Sequence, residues 1–361
     1  MKAIHKDITR ASTLPGSFYQ SQHLFEKSKE QIFARTWQIV GDNSNLKLSN
    51  NAQPFKFMSG FIDEPLLLIC DNEYNVNCFS NVCTHRGNLL VENNCIVKKD
   101  ITCKYHGRRF TTCGKFLSMP ETNGMKNFPT EQDNLTKVPL QKWKQFLFSS
   151  LEPSNILSDF ISEMEERVGW MPIEDFIYDP NSSREYLVKA NWALYCDNYL
   201  EGFHIPFIHK DLAKTLDYSK YNTEIYSYSN LQLGVASGGE HCFDLPTDSI
   251  DYGKQIAAYY FWVFPNMMFN FYPWGLSLNI VKPISTKLTK VEFKTYVWDE
   301  SKLELGAGSI LDKVEREDED IVEQVQKGVS SRFYKHGRFS PRMEKGVHHF
   351  HSLISKFLNE I

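Results

Sequence analysis

At 361 residues with a net charge of −4, the chain is long enough for about two domains and carries no basic field for nucleic acid. It is 42% hydrophobic and 14% aromatic, ample for packed cores, yet its longest aliphatic run, Leu66 to Cys70, is far too short to cross a membrane. Met1 to Arg10 is polar and mixed, so no signal peptide is expected. Eight cysteines in a chain of this size do not make a disulfide scaffold, and reduced thiols in a cytoplasmic protein are the default expectation.

In chain order, Leu24, Phe25, Ile32, Phe33 and Trp37 recur at roughly helical spacing, which predicts an amphipathic helix from Ser21 to Trp37. From Trp37 to Leu151 short apolar runs alternate with turn residues. Phe55–Phe57, Pro65–Cys70, Val76–Val82, Asn88–Val91 and Lys115–Ser118 read as strands of an all-β domain, with a hairpin turn at Asp71–Tyr74. Ser154–Val168 reads as a helix and Arg184–Lys189 as the start of a strand. The densely aromatic Tyr259–Ile280 follows, and Val291–Trp298 has strand alternation. Helices are predicted at Gly308–Val329 and Arg342–Leu358. The expected division is a helical segment at 1–36 packing on the second domain, an all-β domain at 37–151, and a sheet flanked by helices at 152–361.

The all-β stretch holds Cys83-Thr84-His85-Arg86-Gly87 and Cys103-Lys104-Tyr105-His106-Gly107, a C-x-H and a C-x-x-H separated by seventeen residues. Two thiolates and two imidazoles at this spacing can hold a [2Fe–2S] cluster of the Rieske kind, with two Cys on one iron and two His on the other. Zinc is the rival, since Cys₂His₂ is also a structural zinc set. A zinc finger, however, takes both Cys from one half of the site and both His from the other. Here each half supplies one of each, so each loop can offer a ligand to each iron.

A second constellation runs from Asn191 to His209. Asp197, Glu201 and His204 fall on one face of a continuous helix. His209 would point about 140° from His204 on that helix, but Pro206 breaks it and lets His209 be re-aimed. Two His and one carboxylate on one face suit a mononuclear non-haem Fe(II). A bare H-x₄-H more often means one buried and one surface histidine; the cluster motif upstream reverses that preference. The carboxylate is sought in Glu315–Asp320. On a helical wheel Leu311, Val314, Ile321, Val322, Val325 and Val329 all fall within about 60° of Asp318. A carboxylate in the middle of an apolar stripe is costly unless paired or metal-bound. Asp318 is therefore the expected third ligand, with Asp320 next.

With both motifs in hand, the chain resembles the α subunit of a Rieske-type non-haem iron oxygenase of the aromatic-ring-hydroxylating family, most similar to its choline and carnitine monooxygenase branch. The resemblance rests on the two Cys–His motifs, on Asn191-Trp192, on Asp197-Asn198-Tyr199-x-Glu201-Gly202-Phe203-His204-x₄-His209, and on Glu317-Asp318 with Glu323 and Gln326-Lys327-Gly328. Ala193 departs from it, where many relatives have Lys. The resemblance implies an α+β chain: a Rieske domain plus a helix-flanked antiparallel-sheet catalytic domain of helix-grip, START-like type. It implies cluster ligands Cys83, His85, Cys103 and His106, and iron ligands His204, His209 and Asp318. Glu201 would be the bridge between the two centres, and Asp197 a further catalytic candidate. It also implies O₂ as co-substrate, a separate flavin or iron–sulfur reductase fed by NAD(P)H, and a homotrimer in which electrons pass from His106 through Glu201 to His204 of a neighbouring subunit.

Trp and Tyr faces attract quaternary ammonium ions, and as a strand Tyr260, Trp262 and Phe264 share one face. On composition alone ordinary sheet core explains them better. The resemblance to the choline and carnitine branch, with Glu201 where ring-hydroxylating members usually have Asp, is what makes a small quaternary ammonium compound the favoured substrate. An aromatic or other hydrophobic substrate is the alternative. A Rieske electron carrier without oxygen chemistry is the third reading; it predicts no mononuclear iron.

Overall fold

The computed structural model describes residues 2–209, 221–236, 238, 241–303, 305 and 311–360. The chain divides into two units, Ala34–Ser154 and a unit made of Met1–Phe33 with Asn155–Ile361.

Among the described residues, Ala34–Ser154 holds three small antiparallel sheets. One runs β5 (Cys95–Ile96), β2 (Asn51–Phe57), β3 (Glu64–Cys70), β4 (Val76–Ser80), β9 (Lys137–Val138). The second joins β1 (Gln38–Asp42), β11 (Phe146–Ser149) and β10 (Leu140–Trp143), and the third joins β6 (Ile101–Thr102), β7 (Arg109–Phe110) and β8 (Phe116–Ser118). Leu66 to Ile69 of β3 are fully buried, which fits the central place of that strand. The predicted hairpin links β3 and β4: Asp71 Oδ1 accepts from the backbone N–H groups of Glu73 and Asn75, both at 2.9 Å, and Tyr74 takes a positive φ of 65°. Asn88–Val91 is not a strand. Asn81 captures that segment instead, its carbonyl accepting from Leu90 N and its side chain from Val91 N.

In the other unit seven strands form one antiparallel sheet among the described residues. Its order is β12 (Ile177–Val188), β18 (Leu288–Val297), β17 (Gly275–Ser285), β16 (Met267–Tyr272), β15 (Ile256–Val263), β14 (Ser229–Val235), β13 (Thr223–Ile225). Among the described residues the α-helices are α1 (Gln22–Ser28), α2 (Ser158–Val168), α3 (Trp192–Tyr199), α4 (Ile205–Ile208), α5 (Leu311–Val329) and α6 (Lys345–Asn359). The predicted helix over Ser21–Trp37 is shorter, α1 giving way to a π-helical turn at Lys29–Phe33. Residues 308–310 of the predicted C-terminal helix lie outside the described residues. No described helix is long and apolar enough to cross a membrane.

Two expectations for the site helices change. The helix carrying Asp197 ends at Tyr199, so Glu201 and His204 sit on a loop and not on its face. The reason is local: Glu201 Oε2 accepts from the backbone N–H groups of Phe203 and His204, which a continuing helix would have used otherwise. In α5 the apolar stripe is shifted. Val322, Gln326 and Val329 are buried, whereas Val325 is exposed. Gln326 belongs inside because its Oε1 accepts from Asn191 N at 2.8 Å, which ties α5 to the start of α3.

Candidate metal centres and substrate pocket

The two Cys–His motifs fold into matching loops. Cys83 N donates to Asn88 O at 2.8 Å and Gly87 N to Cys83 O at 3.0 Å; in the second loop Cys103 N donates to Arg108 O at 2.8 Å and Gly107 N to Cys103 O at 3.0 Å. Gly87 and Gly107 both have φ of 71°, a conformation L side chains rarely adopt, so glycine ends each motif. Cys83 and Cys103 are buried in the hydrophobic core, whereas the His85 and His106 rings lie nearer the surface, their centroids 4.7 Å apart. Burial pushes the Cys83 thiol up. Burial also opposes ionisation of Cys103, but the backbone N–H groups of Tyr105 and His106 outweigh it and carry that thiol below its ordinary value. His85 Nδ1 is buried with no hydrogen-bond partner among the described residues. Two inner thiols, two outer imidazoles and an unpartnered ring nitrogen fit a [2Fe–2S] cluster with sulfur on one iron and nitrogen on the other.

In the other unit His204, His209 and Asp318 offer ligand atoms that all lie within 4.8 Å of one another. Both Nε2 atoms turn to Asp318 Oδ1, from His209 at 2.9 Å and from His204 at 3.5 Å. Both Nδ1 atoms face a carboxylate: Glu201 Oε1 is 2.8 Å from His204 and Glu317 Oε2 is 2.8 Å from His209. A carboxylate on Nδ1 fixes the tautomer that leaves Nε2 free for a metal. Asn198 Nδ2 donates to Asp318 Oδ1 at 2.6 Å and orients the third donor. Two imidazoles and one carboxylate converging this way fit a non-haem Fe(II). His209 is buried. Burial lowers its pKa, but Asp318 and Glu317 more than reverse this and raise it. Asp320 is exposed and lies outside the group.

A cavity of about 140 Å³ opens at these residues. Gln232, Tyr260, Asn270 and Ser277, paired in one row across β14, β15, β16 and β17, form its floor. Tyr195, Tyr199 and Tyr272 add aromatic walls, and Glu315 sits at the α5 side. Tyr199 donates to Asn270 Oδ1 at 2.7 Å. Burial pushes Tyr260 up to about 12 and raises Tyr199 and Tyr272 well above the ordinary tyrosine value, so all three present neutral rings.

The predicted aromatic trio is split. Tyr260 lines the cavity, but Trp262 on β15 and Phe264 just past the end of that strand lie beneath α6, where Trp262 meets Phe350 and Phe264 meets Phe357. Asp197 is not brought to the cavity either. It accepts from Tyr19 Oη at 2.9 Å and lies 2.8 Å from His351 Nε2. Glu317 and Asn198 stand inside the quoted motifs but received no role from sequence. Tyr199 and Asn270 likewise line the cavity without a sequence expectation. A buried Asn in an otherwise apolar strand was the one available signal.

The profile described as ring hydroxylating alpha subunit (catalytic domain) matches residues 169–360, and that of the Rieske [2Fe-2S] domain matches residues 36–129. The chain belongs to the ring-hydroxylating α-subunit family. It is accordingly a Rieske non-haem iron oxygenase, an oxidoreductase whose cofactors are a [2Fe–2S] cluster and a mononuclear iron. The chloroplastic choline monooxygenase of Arabidopsis thaliana is 29% identical over 96% of this chain and 83% of the relative. The carnitine monooxygenase oxygenase subunit of Escherichia coli (strain K12) is 27% identical over 97% and 95%. A solved quaternary ammonium Rieske monooxygenase, described for carnitine oxidation and inter-subunit electron transfer, superposes with a TM-score of 0.78 at 25% identity over 98% and 100%. Naphthalene 1,2-dioxygenase with indole bound shares the fold, with a TM-score of 0.71 at 17% identity over 100% and 95%.

Proposed function

We propose that this α subunit is a cytoplasmic, trimeric terminal oxygenase that hydroxylates or demethylates a small quaternary ammonium compound of the choline, glycine betaine or carnitine type. The observation that carries the reading is the lining of the cavity. Among the described residues it combines neutral tyrosines with the carboxylates of Glu201, Glu315 and Asp318 and contains no Lys or Arg. Neutral phenol faces and nearby negative charge suit a trimethylammonium group, through cation–π attraction of about 0.5–2 kcal/mol per ring. The choline and carnitine monooxygenases among the relatives support the same class.

In this proposal Cys83 and Cys103 hold one cluster iron, His85 and His106 the other, and His204, His209 and Asp318 hold the mononuclear iron. When bound, that iron supplies activation of O₂ with electrons from a separate reductase. The chain's own residues do the rest. Glu201 and Glu317 keep both histidines in the metal-facing tautomer, and Asn198 holds the Asp318 carboxylate in place. Tyr199, Tyr260 and Tyr272 seat the ammonium group so that one of its carbons faces the ligand set. Glu201 is also assigned the bridging role, because its carboxylate already engages His204 Nδ1.

A single-turnover assay tests the reading. Chemically reduced protein is mixed with O₂ and either a choline, betaine and carnitine set or an aromatic acid set, and products are read by mass spectrometry. An oxygenated or demethylated ammonium product is expected. Product from the aromatic set alone would overturn the substrate class.

A further inference from the structure

Beside the two cluster loops lies an ion pair between a buried arginine and a half-buried aspartate, to which the cluster and pocket readings give no role. The Arg108 side chain, one residue past the second motif, is 3% exposed. Its guanidinium carbon stands 4.7 Å from the centre of the Phe116 ring, 5.6 Å from Phe128 and 5.8 Å from Phe110. Its Nη2 donates to Asp133 Oδ1 at 2.6 Å and to Asp133 O at 3.1 Å. The same Asp133 carbonyl accepts from Thr84 Oγ1, inside the first motif, at 2.8 Å. The second carboxylate oxygen is held by Thr130, through its backbone N at 2.7 Å and its hydroxyl at 3.1 Å. Asp133 thus reaches the first loop through Thr84 and the second through Arg108, whose own carbonyl accepts from Cys103 N.

We propose that Arg108 and Asp133 form a clasp that keeps the two ligand loops in register and sets the ease with which the cluster they hold is reduced. The proposal rests on Cys83, His85, Cys103 and His106 being the cluster ligands. A lone buried cation among three phenyl rings is expensive, and Asp133 offsets that cost. Reduction adds one negative charge to the cluster. A nearby buried cation favours that charge and a nearby carboxylate opposes it, with screening weakest at the buried guanidinium. The two partners therefore pull the reduction potential in opposite directions, and in the intact pair they nearly balance.

The test uses full-length protein with its metals loaded. Arg108→Gln leaves the Asp133 carboxylate uncompensated and is expected to shift the midpoint potential down. Asp133→Asn leaves the guanidinium uncompensated and is expected to shift it up. Both are read by a redox titration followed in the visible spectrum, with the EPR signal of the reduced cluster recorded alongside. Thr84→Val cuts the tie to the first loop without changing charge; an altered EPR line shape with a smaller potential change than either is expected. A purely structural role moves the two charge variants the same way. Shifts of the same sign, or potentials and EPR signals unchanged in both, would overturn the clasp. Should Arg108→Gln fail to fold, Arg108→Lys replaces it, keeping the charge and losing the fork. An altered EPR signal with the cluster retained then supports the clasp, and a wild-type signal overturns it. A Cys83→Ala protein that keeps its cluster would instead overturn the ligand assignment beneath the proposal.

Discussion

Glu317 shows how far the candidate iron site depends on a residue outside its three converging donors. Its carboxylate faces His209 Nδ1 at 2.8 Å, and only with that nitrogen protonated does Nε2 present a lone pair toward Asp318 and His204. Glu317→Gln should lower retention of the mononuclear iron, or turnover, by about 10–100-fold while the visible spectrum of the cluster stays unchanged. Iron content after dialysis against a chelator measures this, and wild-type retention would remove Glu317 from the site. Gly202 sets a second constraint. A Cβ there would stand 2.7 Å from the Tyr221 ring, whose hydroxyl accepts from Gly202 N at 2.8 Å. Tyr221 in turn donates to Gln232, which donates to the Tyr199 carbonyl, so the loop carrying Glu201 and His204 hangs from this chain. Gly202→Ala is expected to cost about 1–3 kcal/mol in denaturant unfolding and to reduce turnover; an unchanged midpoint would show that the loop absorbs the methyl. The helical wheel singles out Asp318 as a carboxylate on an apolar stripe; the stripe is shifted in the structure, but Asp318 does converge with His204 and His209. Glu317 was not legible in the sequence, because a carboxylate a hundred degrees from that stripe reads as one more solvated charge.

At the scale of elements, the sheet places the site and a cross-strand charge cluster braces it. Glu292 on β18 is buried between Lys282 of β17 at 2.7 Å and Lys290 at 2.8 Å. Burial pushes its carboxyl up, but the two lysines prevail and hold it at about 2, against an ordinary value of 4.5. Because the folded value is depressed, the stabilisation is complete above about 4.5 and is lost as pH falls toward 2. Glu292→Gln should lower stability at neutral pH by about 3 kcal/mol and flatten the acid limb of the stability curve, both read by chemical unfolding at a series of pH values. A variant whose acid limb is as steep as the wild type's would show that other carboxylates drive it. The alternation of β15 was readable through Tyr260 and Trp262, although the strand ends at Val263, one residue before Phe264. Which of the three faces the cavity was not readable, because the cover over that face changes from α3 and α5 to α6 within a few residues, and periodicity carries no record of what packs on a strand. The end of α3 at Tyr199 was hidden for a related reason: Glu201 terminates it with its own side chain, a local competition that a helical wheel does not represent.

For the whole molecule, each candidate metal set lies within one unit, the Cys–His loops in Ala34–Ser154 and the His–Asp group in the other. That separation makes the losses separable. Cys83→Ala should remove the red-brown cluster and leave the mononuclear iron; His204→Ala should do the reverse; each alone should abolish turnover driven by a reductase. The two inactive proteins then address the proposed relay through Glu201. When both variants are co-expressed and mixed oligomers isolated, a neighbour with an intact cluster stands beside a neighbour with an intact iron site. If electrons pass between copies, such oligomers should recover a measurable fraction of wild-type turnover, while a mixture of separately assembled variants should not. If electrons stay within one chain, every mixed oligomer should be as dead as its parents, since no single copy holds both centres. Glu201→Gln introduced into the Cys83→Ala copy, which keeps the working iron, should erase the recovered activity, because there the carboxylate meets the only functional His204. The same change in the His204→Ala copy should leave the recovered activity intact, and equal loss from both copies would show that Glu201 acts on assembly and not on transfer.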